Sequence, residues 1–265
     1  MRIIVKLGGS VIRKGAGGFI KELPSLAGSN ELVVIHGGGY MVNDLLGRMG
    51  LTPRFVTSPS GVVSRYTDLE TLAVYVMAMM KINKDLVSSA QSMGVNAVGL
   101  SGLDGGILRA KRKDRLIIVD ERGRERVIEG GYTGKIIQVN AEALRAVSSA
   151  GFLPIIAPIA MDEDTKGPLN VDSDQVMEAL AGSVMPDYAV MLTDVDGVLV
   201  GGSPIPKVDP SDESLLSSSE VGGGMRRKLR MAMRMGGAGI KVVIANGLAE
   251  SPVSAALRGA GTHVY

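Results

Sequence analysis

Lys6 and Lys228 each adjoin a run of glycines, and a cation beside bare backbone amides is suited to binding and moving a phosphoryl group. The first run, Lys6-Leu7-Gly8-Gly9-Ser10, follows an apolar stretch that reads as a strand. Glycine there admits close approach to phosphate oxygens, and the free N–H groups of a following helix would face the same anion. A plain strand-to-helix turn ending in a solvated lysine accounts for the run as well. The second run, His36-Gly37-Gly38-Gly39, also follows an apolar stretch. A tight turn needs one or two glycines, and the third points to an anion nest at the carboxyl end of a sheet. His36 is expected as a hydrogen-bonded strand-end residue rather than a base.

Three further groups share this character. Asn170-Val171-Asp172-Ser173-Asp174 leads into a helical pattern. Asp172 or Ser173 would cap that helix, but Asn and two acids exceed what a cap requires. Spacing of four residues could aim Asn170 at a substrate while Asp174 faces the lysines. Thr193-Asp194-Val195-Asp196-Gly197 ends another apolar run. Asp-Gly is a hairpin signal, yet nucleotides also bind at the carboxyl ends of strands in open α/β sheets. Gly222-Gly223-Gly224-Met225-Arg226-Arg227-Lys228 is a glycine hinge opening a helix. Lys228 could reach a cleft, whereas Arg226 and Arg227 are expected on a solvated face. Neither a Walker sequence nor a protein-kinase motif set is present, so a kinase of another type and a phosphate-binding module both stay open.

Composition narrows the chemistry. The absence of cysteine excludes disulfides, thiolate nucleophiles and cysteine metal sites, and two histidines argue against zinc. A metal would be held by carboxylates, carbonyls, water and ligand oxygens, a set that suits magnesium. A net charge of +2 excludes a bulk polyanion binder. Basic residues are nonetheless uneven: Arg109, Lys111, Arg112, Lys113, Arg115, Arg122, Arg124 and Arg126 face four acids. The N-terminus lacks a signal-peptide pattern and no run of about 18 apolar residues occurs, so a cytoplasmic protein is expected.

The elements that must position these groups alternate short apolar runs with helical patterns, which predicts an α/β fold with helices on both faces of a mostly parallel sheet. Strands are expected at 2–7, 31–36, 96–100, 153–158, 188–193 and 240–245. Helices are expected at 69–92, 141–150, 174–182 and 225–236. Residues 107–139 alternate apolar and charged, with turn signals at Lys113-Asp114 and Arg122-Gly123, and read as antiparallel hairpins off the main sheet. A smaller hairpin is expected to turn at Gly201-Gly202. The polar stretch 161–168 marks a lobe boundary.

Taken in order, the five motifs resemble the amino acid kinase family, and the resemblance spans essentially the whole chain. It implies a three-layer αβα sandwich around a mainly parallel eight-stranded sheet. An acceptor-binding and dimerising lobe would occupy 1–170 and an ATP-binding lobe 171–265, with homodimers as the assembly. By position, Lys6 and Lys228 match the lysines that stabilise the transferring phosphoryl group, and Asp174 matches the acid that orients them. Gly8, Gly9, Gly37 and Gly38 match amide donors around phosphoryl and acceptor, with Ser10 beside them. Arg65 and Asn170 match acceptor ligands, and Thr193, Asp194, Asp196 and Gly197 match the nucleotide strand end. The implied cofactor is ATP with Mg2+ held mainly by its phosphates.

Within the family the chain looks most like N-acetylglutamate kinase, with departures. Asp172 stands where those enzymes usually carry Asn, and Gly131-Tyr132-Thr133-Gly134-Lys135 is not their usual hairpin sequence. Both features resemble the [LysW]-aminoadipate/[LysW]-glutamate kinases, whose acceptor has its amine blocked by the small acidic carrier protein LysW. The basic stretch 109–126 fits steering of an acidic partner, and equally a solvated hairpin with charges guarding an edge. Two rivals are an N-acetylglutamate kinase without a carrier and a nucleotide-sensing module without turnover.

Overall fold

Continuous apolar runs set the frame, because strands buried on both faces need no polar alternation. The structure, a computed structural model, describes residues 1–265. The first half contains β1 (Arg2–Leu7), α1 (Gly9–Arg13), α2 (Gly17–Ser29), β2 (Glu31–His36) and α3 (Gly39–Arg48). A short hairpin follows, β3 (Phe55–Thr57) and β4 (Val63–Arg65), then the long α4 (Leu69–Ser92) and β5 (Ala97–Ser101). Next come β6 (Leu108–Arg112), β7 (Arg115–Val119), β8 (Glu125–Glu129), β9 (Gly134–Val139), α5 (Ala141–Ser149) and β10 (Leu153–Ala157). Then β11 (Ile159–Asp162) and β12 (Pro168–Asn170) lead into α6 (Ser173–Val184) and β13 (Tyr188–Thr193). The last part holds β14 (Leu199–Val200), β15 (Ser203–Pro204), β16 (Lys207–Val208), α7 (Ser214–Ser217) and α8 (Gly223–Gly237). It closes with β17 (Lys241–Asn246), α9 (Pro252–Leu257) and β18 (Thr262–Val264).

Eight strands form the main sheet in the order β16-β18-β17-β13-β1-β2-β10-β5, parallel except at β17–β18. The expected sandwich is present, with helices on both faces. Alternation along β1 decides what each side chain meets. Ile3, Val5 and Leu7 pack into the core under α2, α3, α4 and α9, whereas Ile4 packs into the core under α5, α6 and α8. Lys6 therefore points to the α6–α8 face, between Ile35 of β2 and Met191 of β13. His36, one step out of phase, points to the opposite face and meets Asn83 of α4.

The main strands and helices fall within two residues of the sequence expectation, and Gly201-Gly202 turns the small β14–β15 hairpin. One pairing differs. Lys113-Asp114 is no hairpin turn, because β6 pairs with β9 while β7 pairs with β8. The chain crosses there between two small sheets, β12-β11-β6-β9 and β4-β3-β7-β8. Arg122-Gly123 does turn a hairpin, with Gly123 at φ 75°. The sheet containing β7 stands over the carboxyl ends of the main strands and forms one wall of a cleft.

Candidate active site

Asp172 starts the site by capping α6: its Oδ1 accepts the Asp174 N–H at 2.8 Å. That turn aims the Asp174 side chain, only 2% exposed, at the end of β1, where Lys6 Nζ lies 2.6 Å from Oδ1. Oδ2 of Asp174 faces α8, with Arg227 Nη2 at 3.5 Å and Lys228 Nζ at 4.0 Å. Arg227 Nη2 also lies 3.0 Å from Asp172 Oδ2. Burial pushes the Asp174 carboxyl up, but Lys6, Lys228 and Arg227 outweigh it and hold it below the usual carboxylate range. Burial lowers the Lys228 ammonium; Asp174 opposes this, and the like charges of Lys6 and Arg227 add to it.

The glycine loops pack backbone to backbone over this cluster. A Cβ on Gly8 would stand 2.9 Å from the Leu192 carbonyl oxygen, and one on Gly37 3.2 Å from the Gly9 nitrogen. The N–H of Gly8 donates to Leu192 O and that of Gly37 to Leu7 O, each at 2.9 Å. Those two glycines thus tie the loops to the sheet. Gly9 and Gly38 have no backbone acceptor for their N–H groups, which are left for an anion.

Two cavities meet at the charged cluster. The larger, about 530 Å3, is floored by Gly37, Gly38 and Asn170 and walled by apolar residues of the small sheet, Leu116 to Ile118 among them. Arg65 Nη2 donates to Gly39 O at 3.0 Å and Asn43 Oδ1 at 2.6 Å, leaving Nη1 buried without a partner on this wall. Asn170 Nδ2 donates to Thr67 Oγ1 at 2.8 Å. The smaller cavity, about 320 Å3, is lined by Thr193, Asp194, Gly197, Gly222, Met225 and Lys228. Asp194 reaches Lys14 at 3.6 Å; burial raises its carboxyl, while its own amide, Ser10 and Lys14 bring it below the usual range.

The sequence signature described as the Amino acid kinase family matches residues 1–246. The chain belongs to that family. A Saccharolobus islandicus protein named [LysW]-aminoadipate/[LysW]-glutamate kinase is 42% identical over 261 residues, 98% of each chain. A Pyrobaculum calidifontis relative, given the same name with a provisional qualifier, is 54% identical over 264 residues, 99% of this chain and 98% of its own. Among solved structures, Giardia carbamate kinase superposes with a TM-score of 0.68 at 16% identity, covering 99% of this chain and 98% of its own.

Against that family frame, the predicted groups separate clearly. Lys6, Asp174 and Lys228 converge, and Gly37, Gly38, Arg65 and Asn170 share one cavity. Asp196 stays off the smaller cavity, its Oδ1 accepting from Asn246 Nδ2 at 2.8 Å. Arg226 and Arg227 are not a solvated face. Arg226 Nη2 donates to Ser218 O at 2.7 Å and Val221 O at 2.9 Å, and Arg227 joins the charged cluster. Their adjacency to Lys228 was the available signal.

Half of the basic stretch is also spent within the fold. Arg109 pairs with Glu163 at 3.7 Å, and Arg124 and Arg126 pair with Asp120 at 3.0 and 3.3 Å. Arg112 stacks on Tyr132, donates to Gly131 O and pairs with Glu129, so it braces the sheet rather than lying free at a turn. Lys111, Lys113, Arg115 and Arg122 remain exposed, and Lys113 stands on the rim of the larger cavity.

Proposed function

We propose that this chain transfers the γ-phosphoryl group of ATP to the side-chain carboxylate of 2-aminoadipate or glutamate whose amine is blocked by the carrier LysW. The product is an acyl phosphate, placing the enzyme in lysine or arginine biosynthesis. The observation that carries the reading is the Lys6–Asp174–Lys228 constellation, held where an apolar-walled cavity meets a smaller one. The names of the two relatives supply the acceptor.

Residues of the smaller cavity fit a nucleoside triphosphate: Lys228 lies on its wall, and the opening turn of α8 begins at Gly223 beside it. Mg2+ would enter on the phosphates and neutralise part of their charge, with Asp194 and Glu220 the carboxylates lining that cavity. In the 1–170 lobe, Arg65 and Asn170 bind the acceptor. Lys6 and Lys228 offset the charge that collects as a carboxylate oxygen approaches the phosphoryl group, and the Gly9 and Gly38 amides donate to it. Asp174 keeps the lysines placed. The nucleophile is ionised at neutral pH and requires no base.

Lys113, exposed on the cavity rim, and the exposed Arg115 two residues along suit an acidic carrier. A homodimer through the 1–170 lobe belongs to the same proposal, and Leu69 and Met77, 64% and 48% exposed on α4, are apolar surface that would support it. No helix is long and apolar enough to cross a membrane, and a cytoplasmic site of action is part of the same proposal. Acyl phosphate trapping with hydroxylamine tests the reading on glutamate and aminoadipate, each free, acetylated or carrier-linked. Turnover confined to the carrier-linked forms is expected; turnover confined to N-acetylglutamate refutes the carrier assignment.

A further inference from the structure

Consecutive residues of α8 look into different cavities. Arg227 lines the larger one and Lys228 the smaller. Arg227 is anchored by a single nitrogen, Nη2, on Asp172 and Asp174, and its Nε is buried with no partner. A buried guanidinium donor left unpaired is costly, so its partner is expected to arrive with a ligand. Arg65 presents a second buried, unpaired guanidinium nitrogen to the same cavity. The cavity therefore carries two arginines with unused donors, and the proposed acceptor carries two carboxylates.

The two arginines are not equivalent. Arg65 is held by Gly39 and Asn43, away from the lysines, and suits the carboxylate that does not react. Arg227 touches Asp174, the carboxylate that also meets Lys6 and Lys228. We propose that Arg227 binds the reacting carboxylate of the acceptor and aims it at the γ-phosphorus, with Asp172 as the residue that fixes the guanidinium plane. The inference rests on the carboxylate-acceptor reading above. In the step, an acceptor oxygen forms the new bond to phosphorus, the bond to the β,γ-bridging oxygen breaks, and its electron pair leaves with ADP. Arg227 transfers no proton, since a guanidinium stays charged; it contributes orientation, which a forked planar donor provides and a lysine does not.

The test compares wild type, Arg227→Ala, Arg227→Lys and Asp172→Asn by hydroxylamine trapping, with carrier-linked glutamate and aminoadipate and with N-acetylglutamate. Arg227→Ala is expected to lower kcat/KM for the acceptor about a hundredfold, with KM for ATP within about twofold of wild type. Added guanidinium should restore at least about tenfold of the loss, and Arg227→Lys should recover less than that. Asp172→Asn, which keeps the cap but releases the fork, should fall between. Near-wild-type kcat/KM in Arg227→Ala, a loss lying in the ATP KM, or no rescue by guanidinium overturns the assignment. Wild-type turnover separates this outcome from the parent reading. Inactivity on carrier-linked acceptors with activity on N-acetylglutamate refutes the carrier, and the same Arg227 ratios are then expected on N-acetylglutamate.

Discussion

Replacing Asp174 by Asn should cost more stability than replacing Lys6 by Met, although each breaks the same ion pair. The two side chains are 2% and 5% exposed and meet at 2.6 Å. Lys6 has Asp174 as its one ion-pair partner, whereas Asp174 also has Arg227 at 3.5 Å and Lys228 at 4.0 Å. Removing the carboxylate strands a buried ammonium beside two other cations, and breaking a buried pair in this way costs about 3–5 kcal/mol. Removing the ammonium leaves Asp174 two cations and loses one charge-assisted hydrogen bond, about 1.5–3 kcal/mol. At about 2–4 °C per kcal/mol for a chain of this size, Asp174→Asn should lower Tm by roughly 6–20 °C and Lys6→Met by clearly less. Calorimetry on both variants and on the double variant checks this. The double variant should be more stable than Asp174→Asn alone, because the stranded charge is gone. Equal losses, or a double variant that sums the singles, would refute the asymmetry and with it the view of Asp174 as the hub.

Other expected outcomes are specific to single groups. Lys228→Ala should reduce kcat about a hundredfold with little loss of Tm, because its side chain is 19% exposed and Asp174 keeps Lys6; unchanged turnover would remove Lys228 from the chemistry. Arg65→Ala should raise KM for the acceptor and leave KM for ATP unchanged, and the reverse pattern in initial rates would move Arg65 to the nucleotide side. Lys113→Glu with Arg115→Glu should lower kcat/KM for the carrier-linked acceptor, an effect that shrinks with salt as charges are screened over about 10 Å at 0.1 M; salt-independent kinetics would count against steering. Burial, opposed by the Gly37 carbonyl, lowers His36 from 6.5 to about 4. The unfolded chain then binds the extra proton between those values, so stability should be lost as pH drops from about 6.5 to about 4, by up to about 3 kcal/mol. His36→Gln should flatten that slope in acid denaturation.

Legibility followed burial. Runs such as Leu32-Val33-Val34-Ile35 can only be central parallel strands, and the glycines mark where their ends meet. Pairing among residues 107–139 was less legible. Local alternation announces strands, but β6 finds β9 more than twenty residues on, a choice made by packing on β11. The role of Arg227 was hidden for a related reason. Neighbouring helix positions differ by about 100° in direction, and the burial of Leu229, Ala232, Met233 and Met235 sets the rotation of α8. The bracing role of Arg112 was not legible either, because its guanidinium covers Tyr132, a contact that a count of charges cannot show.

The charge balance at the cleft also bears on the kind of reaction. Lys6, Arg227 and Lys228 surround two carboxylates, Asp172 and Asp174, so the cluster has one positive charge in excess before any ligand arrives. The opening turn of α8 adds its own positive end. Such a site is completed by anions. It lacks the partner that a hydroxyl nucleophile would need, because His36 is buried, held neutral at neutral pH and directed to Asn83 on the face opposite Lys6. The two carboxylates are already engaged: Asp172 caps α6 with one oxygen and meets Arg227 with the other, and the cations that hold the Asp174 carboxyl below the ordinary range make it a poor proton acceptor. An excess of fixed positive charge without a general base suits a nucleophile that arrives already ionised. A carboxylate meets that requirement, and in the proposed site it would bind at the two unused guanidinium donors of Arg65 and Arg227.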